Sequence, residues 1–237
     1  MDAYNPWHGC HKVSEGCLNC YVYRMDGRHG KDASHITKTS AFNLPIKRNR
    51  YGQYSIPDHS TLYTCFTSDF LVEEADAWRA DVWAMMKARP LVQFIFFTKR
   101  IERLESCLPD DWGEGYPNVT IGCTMENQKR TDERCPLFLR IPIKTRWIIA
   151  EPLLGPIDLS PYLDERIALI VAGGESGSEA RECDYAWVEA LKAQADARHI
   201  PFHYHQTGAK LRKDGKLYLI PRKFQASQAK KANLDTE

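Results

Sequence analysis

Short apolar runs alternate with amphipathic segments along most of this chain. Runs rich in β-branched and aromatic residues predict six strands, at residues 61–67, 93–97, 119–124, 145–150, 168–172 and 202–205. Apolar residues at spacings of three and four predict four helices, at residues 72–88, 101–107, 126–139 and 184–198. Because strands that alternate with helices form parallel sheets, we predict an α/β fold, a partial (β/α)6 barrel with a mainly parallel sheet.

The length of the chain favours one domain. With 237 residues and 43% hydrophobic content, the chain can bury about 70–75% of its unfolded surface. We expect residues 1–60 to form a cluster loop and a covering segment, residues 61–208 a βα core, and residues 209–237 a basic tail. The 32 Lys and Arg residues balance 31 Asp and Glu residues, so nucleic-acid binding requires a local basic patch.

The eight cysteines are unevenly distributed. No basic segment followed by an apolar stretch opens the sequence, and no run of about 18 apolar residues occurs, so we expect a cytoplasmic protein without membrane contact. In that reducing compartment, the close spacing of Cys10, Cys17 and Cys20 indicates a metal or redox site. We expect the scattered cysteines to be ordinary core or surface residues: Cys65, Cys107, Cys123, Cys135 and Cys183.

Three thiolates in one short loop leave two kinds of metal site open. A structural zinc requires four protein ligands, whereas a [4Fe-4S] cluster held by three cysteines leaves one iron free for a substrate or cofactor. The zinc alternative needs His8 or His11 as the fourth ligand. A domain of this size needs no metal for stability, and this favours the cluster.

Polar residues directly follow almost every predicted strand. In parallel βα folds, ligands bind at the carboxyl ends of the strands. The candidate positions there include Ser68, Glu126, Glu151 and Glu175. Helix capping is the alternative for Ser68 and the neighbouring Asp69, and a position in a turn is the alternative for Asn127.

The Gly173-Gly174-Glu175 sequence stands at the end of the fifth predicted strand. Glycines there allow the backbone to approach a ligand closely, and the carboxylate can bind an ammonium or a ribose hydroxyl. The alternative is a simple tight turn. Neither a dinucleotide fingerprint nor a phosphate-binding loop is present, and this disfavours nucleotide hydrolysis.

Taken together, these motifs resemble one family. The similar blocks are Asn5-Pro6-Trp7, Gly9-Cys10, Lys12-Val13-Ser14, Gly16-Cys17, Asn19-Cys20-Tyr21, Phe97-Thr98-Lys99-Arg100, Glu126-Asn127, Glu151-Pro152-Leu153-Leu154-Gly155, Gly173-Gly174-Glu175-Ser176-Gly177, Pro201-Phe202, Gln206 and Gly208. Over roughly the first 208 residues, the chain resembles the phage-associated three-cysteine proteins related to radical S-adenosylmethionine enzymes.

The resemblance implies a cofactor set. Cys10, Cys17 and Cys20 would hold a [4Fe-4S] cluster whose open iron binds S-adenosylmethionine, the source of a 5′-deoxyadenosyl radical. It also implies that Gly173, Gly174 and Glu175 bind the methionine ammonium. Further cofactor or substrate contacts are expected at Ser68, Glu126 and Glu151.

A substrate and partners follow from the same resemblance and from local basic stretches. We expect modification or isomerisation of a phage DNA nucleobase, such as a thymine side chain, or of a nucleotide, in a bacterial host cell. Lys47, Arg48 and Arg50, in the loop of residues 27–60, could neutralise the phosphates of a nucleic acid. A second basic stretch lies in the tail, where we expect a frayed, solvated segment rather than phosphate binding. The reductant would be a flavodoxin or ferredoxin.

Two alternative functions remain open. One is a non-catalytic iron–sulfur or zinc module that binds a partner protein encoded in the same phage or mobile element. The other is a hydrolase that uses Glu151 and Glu175 as paired acids, and it leaves the three cysteines without a role.

Overall fold

The predicted strands all form in the computed structural model, which describes residues 2–236. Twelve strands are present in this part of the chain: β1 (Asp2–Tyr4), β2 (Trp7–His8), β3 (Thr37–Lys38), β4 (Thr61–Thr64), β5 (Gln93–Thr98), β6 (Val119–Thr124), β7 (Thr145–Ala150), β8 (Ile167–Gly173), β9 (Cys183–Asp184), β10 (Phe202–Gln206), β11 (Lys210–Lys213) and β12 (Lys216–Leu219). Seven of them make one sheet in the order β1-β4-β5-β6-β7-β8-β10. This sheet has two free ends, so the predicted α/β fold with an open, partial barrel is confirmed.

Pairing in the large sheet is parallel at β1–β4, β4–β5, β7–β8 and β8–β10. One predicted strand is clearly shorter than expected, and one strand of the sheet was not predicted. Strand β4 stops at Thr64 because Cys65 adopts a positive φ of 61°, which an extended strand does not accommodate. Strand β1, which pairs Ala3 with Tyr63, was missed because three residues show no alternation pattern.

Six helices are described: α1 (Tyr21–Arg28), α2 (Asp76–Ala88), α3 (Leu104–Cys107), α4 (Gln128–Arg140), α5 (Tyr185–Ala197) and α6 (Arg222–Lys231). The predicted starts of α2 and α3 are instead 3-10 turns, Glu73–Ala75 and Ile101–Arg103. Asp184 caps α5 by accepting from the Ala186 N–H at 2.9 Å, and Asn127 Oδ1 accepts from the Arg130 N–H of α4 at 2.9 Å. None of these helices combines the length and apolar composition that a membrane span requires.

The expectation of a frayed tail is wrong. Residues 210–219 form an antiparallel hairpin of β11 and β12, and β11 also pairs with β9. Helix α6 follows, and its Gln225 and Ala229 are each only 1% exposed. These two side chains, four residues apart, form the buried face of the helix. Two positions are too few for a periodic pattern in the sequence to distinguish this helix from a solvated basic segment.

The described chain forms two compact units. The first comprises residues up to Val13, Val22–Gly122 and Ile141–Thr145; the second comprises Ser14–Tyr21, Cys123–Arg140 and residues from Arg146 onwards. The chain crosses between the units several times, so neither unit is one continuous segment. Cys10 therefore belongs to the first unit, and Cys17 and Cys20 belong to the second.

Each unit has its own apolar core. In the first, the Phe70 ring lies 4.4 Å from Phe96, 4.8 Å from Trp83 and 5.4 Å from Trp7, measured between centroids. Such aromatic clusters bury large areas in specific geometries.

In the second unit, α5 packs against β8 and β10. The apolar side chains of these elements are buried: Val188, Leu191, Ile170 and Phe202. Burying four such side chains places the carboxyl ends of β8 and β10 on a rigid support.

Candidate functional site

The segment of residues 14–20 carries two of the three predicted cysteine ligands. Ser14 is extended, and a 3-10 turn follows at Glu15–Cys17. The Cys20 N–H donates to the Cys17 carbonyl at 3.2 Å, so the two cysteines lie one turn apart. Both are partly exposed and free of disulfides. This segment, here called the cysteine loop, belongs entirely to the second unit.

Glu126, directly after β6, anchors the start of the cysteine loop. Its Oε1 accepts from the Ser14 hydroxyl and, at 3.4 Å, from the Gly16 N–H. Its Oε2 accepts from Arg134 Nη1 at 2.6 Å. Glu126 is 0% exposed and Arg134 is 5% exposed, so the buried carboxylate depends on this arginine for charge balance.

Glu175, directly after β8, anchors the end of the cysteine loop. Its Oε2 accepts from Asn19 Nδ2 at 3.0 Å, and Arg181 binds both oxygens through Nε at 3.0 Å and Nη2 at 2.6 Å. Burial raises the pKa of Glu175, but the hydrogen bonds from Arg181 and Asn19 outweigh it and hold the pKa below its ordinary value. Glu175 is therefore ionised at neutral pH.

Two arginines also hold Glu15 inside the loop. Arg181 Nη1 donates to the Glu15 carbonyl oxygen at 2.9 Å. Arg130 binds the Glu15 side chain through Nε at 2.9 Å and Nη2 at 3.1 Å, and this hydrogen bonding lowers the pKa of Glu15 to about 2. Arg130 of α4 thus fixes the Glu15 side chain, and Arg181, in the segment after β8, fixes the Glu15 backbone.

The predicted glycines approach protein backbone. A Cβ on Gly174 would lie 2.3 Å from the Thr207 carbonyl oxygen, and Gly208, at φ +78°, faces Gly174 from the other side. A Cβ on Gly173 would meet the Glu151 carboxylate at 2.7 Å. Glycine is required here because the ends of β8 and β10 pass so close together.

Glu151, at the end of β7, pairs with the end of β10. It accepts from Gln206 Nε2 at 2.5 Å, and its Oε2 lies 2.8 Å from His205 Nδ1. The hydrogen bond to this carboxylate raises the pKa of His205 above its ordinary value, against a smaller opposing effect of burial. Glu151 thus ties two strand ends together.

In the first unit, Ser68 and Arg100 fix the backbone on either side of Cys10. The Ser68 hydroxyl donates to the Gly9 carbonyl oxygen, so Ser68 does not cap α2. Arg100 Nη2 donates to the His11 carbonyl oxygen at 2.7 Å, and its Nη1 lies 3.4 Å from Cys10 Sγ. Asp69 pairs with Arg100 at 3.2 Å. A guanidinium beside a thiol stabilises the thiolate, the form that binds metals.

The two histidines of the zinc alternative have carboxylate partners. His8 Nε2 lies 2.7 Å from Asp26 Oδ2, and His11 Nε2 lies 2.5 Å from Glu74 Oε1. Both pairs lie within the first unit. A histidine used as a zinc ligand at either position through Nε2 would have to leave its carboxylate.

The chemistry of the predicted donor set suits an iron–sulfur cluster. All three thiols are partly exposed and none is in a disulfide. Four of the remaining cysteines are buried, and burial raises the pKa of Cys135 and of Cys183 to about 12. Within residues 2–236, however, no group of three or more His, Cys, Asp or Glu side chains is arranged to hold a metal ion.

Comparison with known proteins places the chain in a family. Residues 1–235 match the model of the family described as "Protein of unknown function (DUF5131)". The chain belongs to the DUF5131 family. No curated protein and no solved structure matches it. The DUF5131 match includes all the residues of the cysteine loop and every carboxylate that anchors it.

Several residues that hold the cysteine-bearing segments of this DUF5131 chain were not singled out from its sequence. Arg134 and Arg181, which balance Glu126 and Glu175, are two of them. Asn19, which supplies the bond to the loop, does lie in one of the similar sequence blocks. A weak signal existed for Arg134, since it follows Thr131 by three residues on the buried face of α4. Arg181 lies outside any helix or strand, so its partner is visible only in three dimensions.

Proposed function

We propose that this protein is a radical S-adenosylmethionine enzyme whose [4Fe-4S] cluster is held by Cys10, Cys17 and Cys20. The observation that carries the proposal is the anchoring of the cysteine-bearing segments at strand ends. Glu126 and Glu175 hold the cysteine loop, and Arg100 and Ser68 hold the backbone at Cys10. Rigid support of this kind keeps ligands in place for chemistry that an open iron position would serve.

The reaction class follows from this donor set. Cys10, Cys17 and Cys20 would hold the cluster, which, with S-adenosylmethionine and one electron from a flavodoxin or ferredoxin, would supply radical chemistry that removes a hydrogen atom from the substrate. The protein's own task is to hold the thiolates, orient the cofactor and exclude water. Arg100 helps to hold the Cys10 thiolate by placing positive charge beside its Sγ.

Glu175 retains a place for an ammonium group. Within residues 2–236, its Oε2 accepts from Asn19 and from Arg181, whereas its Oε1 accepts from one donor, Arg181 Nη2. A carboxylate oxygen can accept two hydrogen bonds. We therefore keep Gly173, Gly174 and Glu175 as the proposed contact for the methionine ammonium and assign Glu126 and Glu151 to positioning.

The proposed substrate is a DNA nucleobase or a nucleotide, with isomerisation of a thymine side chain as the favoured outcome. Support comes from the exposed residues Lys47, Arg48 and Arg50. The Arg48 guanidinium stacks 3.9 Å from the Tyr54 ring centre, and that of Arg50 lies 4.7 Å from Tyr51. A base in a duplex would have to flip out, so a single-stranded substrate is the simpler case.

The test is anaerobic reconstitution with iron and sulfide, followed by electron paramagnetic resonance of the dithionite-reduced protein. We expect a [4Fe-4S]⁺ signal that changes when S-adenosylmethionine is added. Cys17→Ala should abolish the signal, and Cys107→Ala, a partly exposed cysteine outside the predicted set, should leave it intact. A protein that keeps one tightly bound zinc and forms no cluster would overturn the proposal in favour of a metal-binding module.

A further inference from the structure

Positive charge is concentrated at the C-terminal end of the described chain. Residues 209–236 contain eight Lys and Arg against two Asp, which leaves 24 Lys and Arg against 29 Asp and Glu in the rest of the sequence. The balanced total therefore conceals a basic segment on an otherwise acidic protein. Of these eight cations, Arg212 alone among the described residues forms an ion pair, with Glu182 at 2.6 Å.

The basic segment is folded and presents apolar side chains to solvent. In the β11–β12 hairpin, Lys210 lies opposite Leu219 and Arg212 opposite Leu217, so these four side chains share one face. Leu219 is 72% exposed on this face. Tyr218, opposite Leu211 on the other face of the hairpin, is 42% exposed, and Phe224 of α6 is 45% exposed. We call the β11–β12 hairpin and α6 together the C-terminal surface.

An open cleft of about 490 Å³ adjoins this surface. Its lining includes the cations Lys210 and Arg222, the hydroxyl residue Ser178 and the apolar residues Leu219 and Ile220. Gln225 also lines the cleft, and its buried Oε1 has no hydrogen-bond partner. Cations and a hydroxyl beside an apolar wall suit a group that combines phosphate with a planar ring.

We propose that the C-terminal surface binds single-stranded DNA, with one nucleotide in the adjoining cleft. Proteins that bind single strands combine basic grooves with exposed rings on which bases stack, and Tyr218 and Phe224 provide such rings among the lysines. An acidic protein partner would use the charges but not the rings. The choice of DNA over RNA rests on the proposed function, whereas the surface itself does not require the cluster.

Fluorescence anisotropy with a labelled 20-residue oligothymidylate, measured over a range of NaCl concentrations, tests the proposal on the full chain. We expect the double variant Lys216→Gln, Lys223→Gln to weaken binding and to reduce the salt slope by about 1.4, since each phosphate contact on a single strand contributes about 0.7. Phe224→Ala should weaken binding about tenfold and leave the slope unchanged, because a stacking contact releases no counterion.

A matched control removes two exposed lysines outside the basic loop and the C-terminal surface, Lys129→Gln with Lys144→Gln, and should bind like the wild type. Equal affinity for polyglutamate would identify a general polyanion or acidic-protein surface and overturn the proposal, as would equal binding by the lysine double variant. Absence of DNA binding would not change the paramagnetic resonance result. Absence of a cluster would not change DNA binding by the C-terminal surface. The two proposals are therefore tested separately.

Discussion

Arg181 binds Glu175 through two parallel hydrogen bonds, Nε to Oε2 at 3.0 Å and Nη2 to Oε1 at 2.6 Å. Its third nitrogen, Nη1, donates to the Glu15 carbonyl oxygen of the cysteine loop at 2.9 Å. One arginine therefore joins the end of β8 to the loop. The Glu175 side chain is 5% exposed, so water compensates little for the loss of this partner.

Removal of Arg181 should destabilise the protein. Arg181→Ala leaves a buried carboxylate without its main partner, and we expect the free energy of unfolding to fall by about 3 kcal/mol. Urea denaturation measures the change. The matched control is Arg212→Ala, because Arg212 and Glu182 form a pair in which both side chains are well exposed, and its loss should cost less than about 1 kcal/mol. Equal losses in the two variants would contradict the anchoring role of Arg181.

Glu126→Gln should loosen the cysteine loop. The variant keeps the shape of the side chain but removes the charge that binds Arg134 and strengthens the bonds from Ser14 and Gly16. We expect amide hydrogen exchange of residues 14–20 to accelerate about tenfold or more, since a hydrogen bond to a charged group contributes about 1.5–3 kcal/mol. Glu165→Gln, at an exposed position, should leave this exchange unchanged. Unaltered exchange in the Glu126 variant would show that other contacts hold the loop.

Gly174→Ala should be poorly tolerated. The added Cβ would lie 2.3 Å from a backbone oxygen, which cannot move aside as a side chain can. We expect a loss of about 3 kcal/mol, or roughly 6–12 °C in the melting temperature. Gly155→Ala is the matched control, because nothing lies within 4 Å of the Cβ it would add. A Gly174 variant that melts with the wild type would mean that β8 and β10 separate easily.

The Glu151–His205 pair should make stability depend on pH. Because the pKa of His205 is raised in the folded protein, its stabilising contribution is fully present below its unfolded value near 6.5. That contribution disappears as pH rises through the folded value. We expect His205→Gln to reduce the difference in urea midpoint between pH 6 and pH 8. His203 lies on the same strand as His205 but contacts Asp235 instead. His203→Gln should therefore preserve the pH-dependent stability that the Glu151–His205 pair contributes.

The strands were predictable because their apolar runs are buried in a sheet. Strand β6 is buried at all six positions, and its predicted bounds are those observed. The polar residues after the strands were also found, but their partners were not. Glu126 and Glu175 both bind the cysteine loop, which lies more than 100 positions earlier in the sequence. No local sequence pattern encodes a contact of that range.

The C-terminal segment shows a different limit of sequence reasoning. Its hairpin has a strong local signal, Asp214-Gly215, with φ values of 51° and 75° at the turn. The density of lysine nevertheless favoured a solvated tail. Only two residues of α6 are buried, so the helix is held by a few contacts that composition does not reveal.

The anchored cysteine loop has a thermodynamic consequence for any ligand of Cys17 and Cys20. Fixing one residue's backbone costs about 1–2 kcal/mol in conformational entropy. In residues 14–20 that cost falls largely on folding itself, because contacts from the protein's own Glu126, Arg130 and Arg181 hold the loop. Binding at these thiols is therefore pre-organised, and its intrinsic affinity is not reduced by an ordering step.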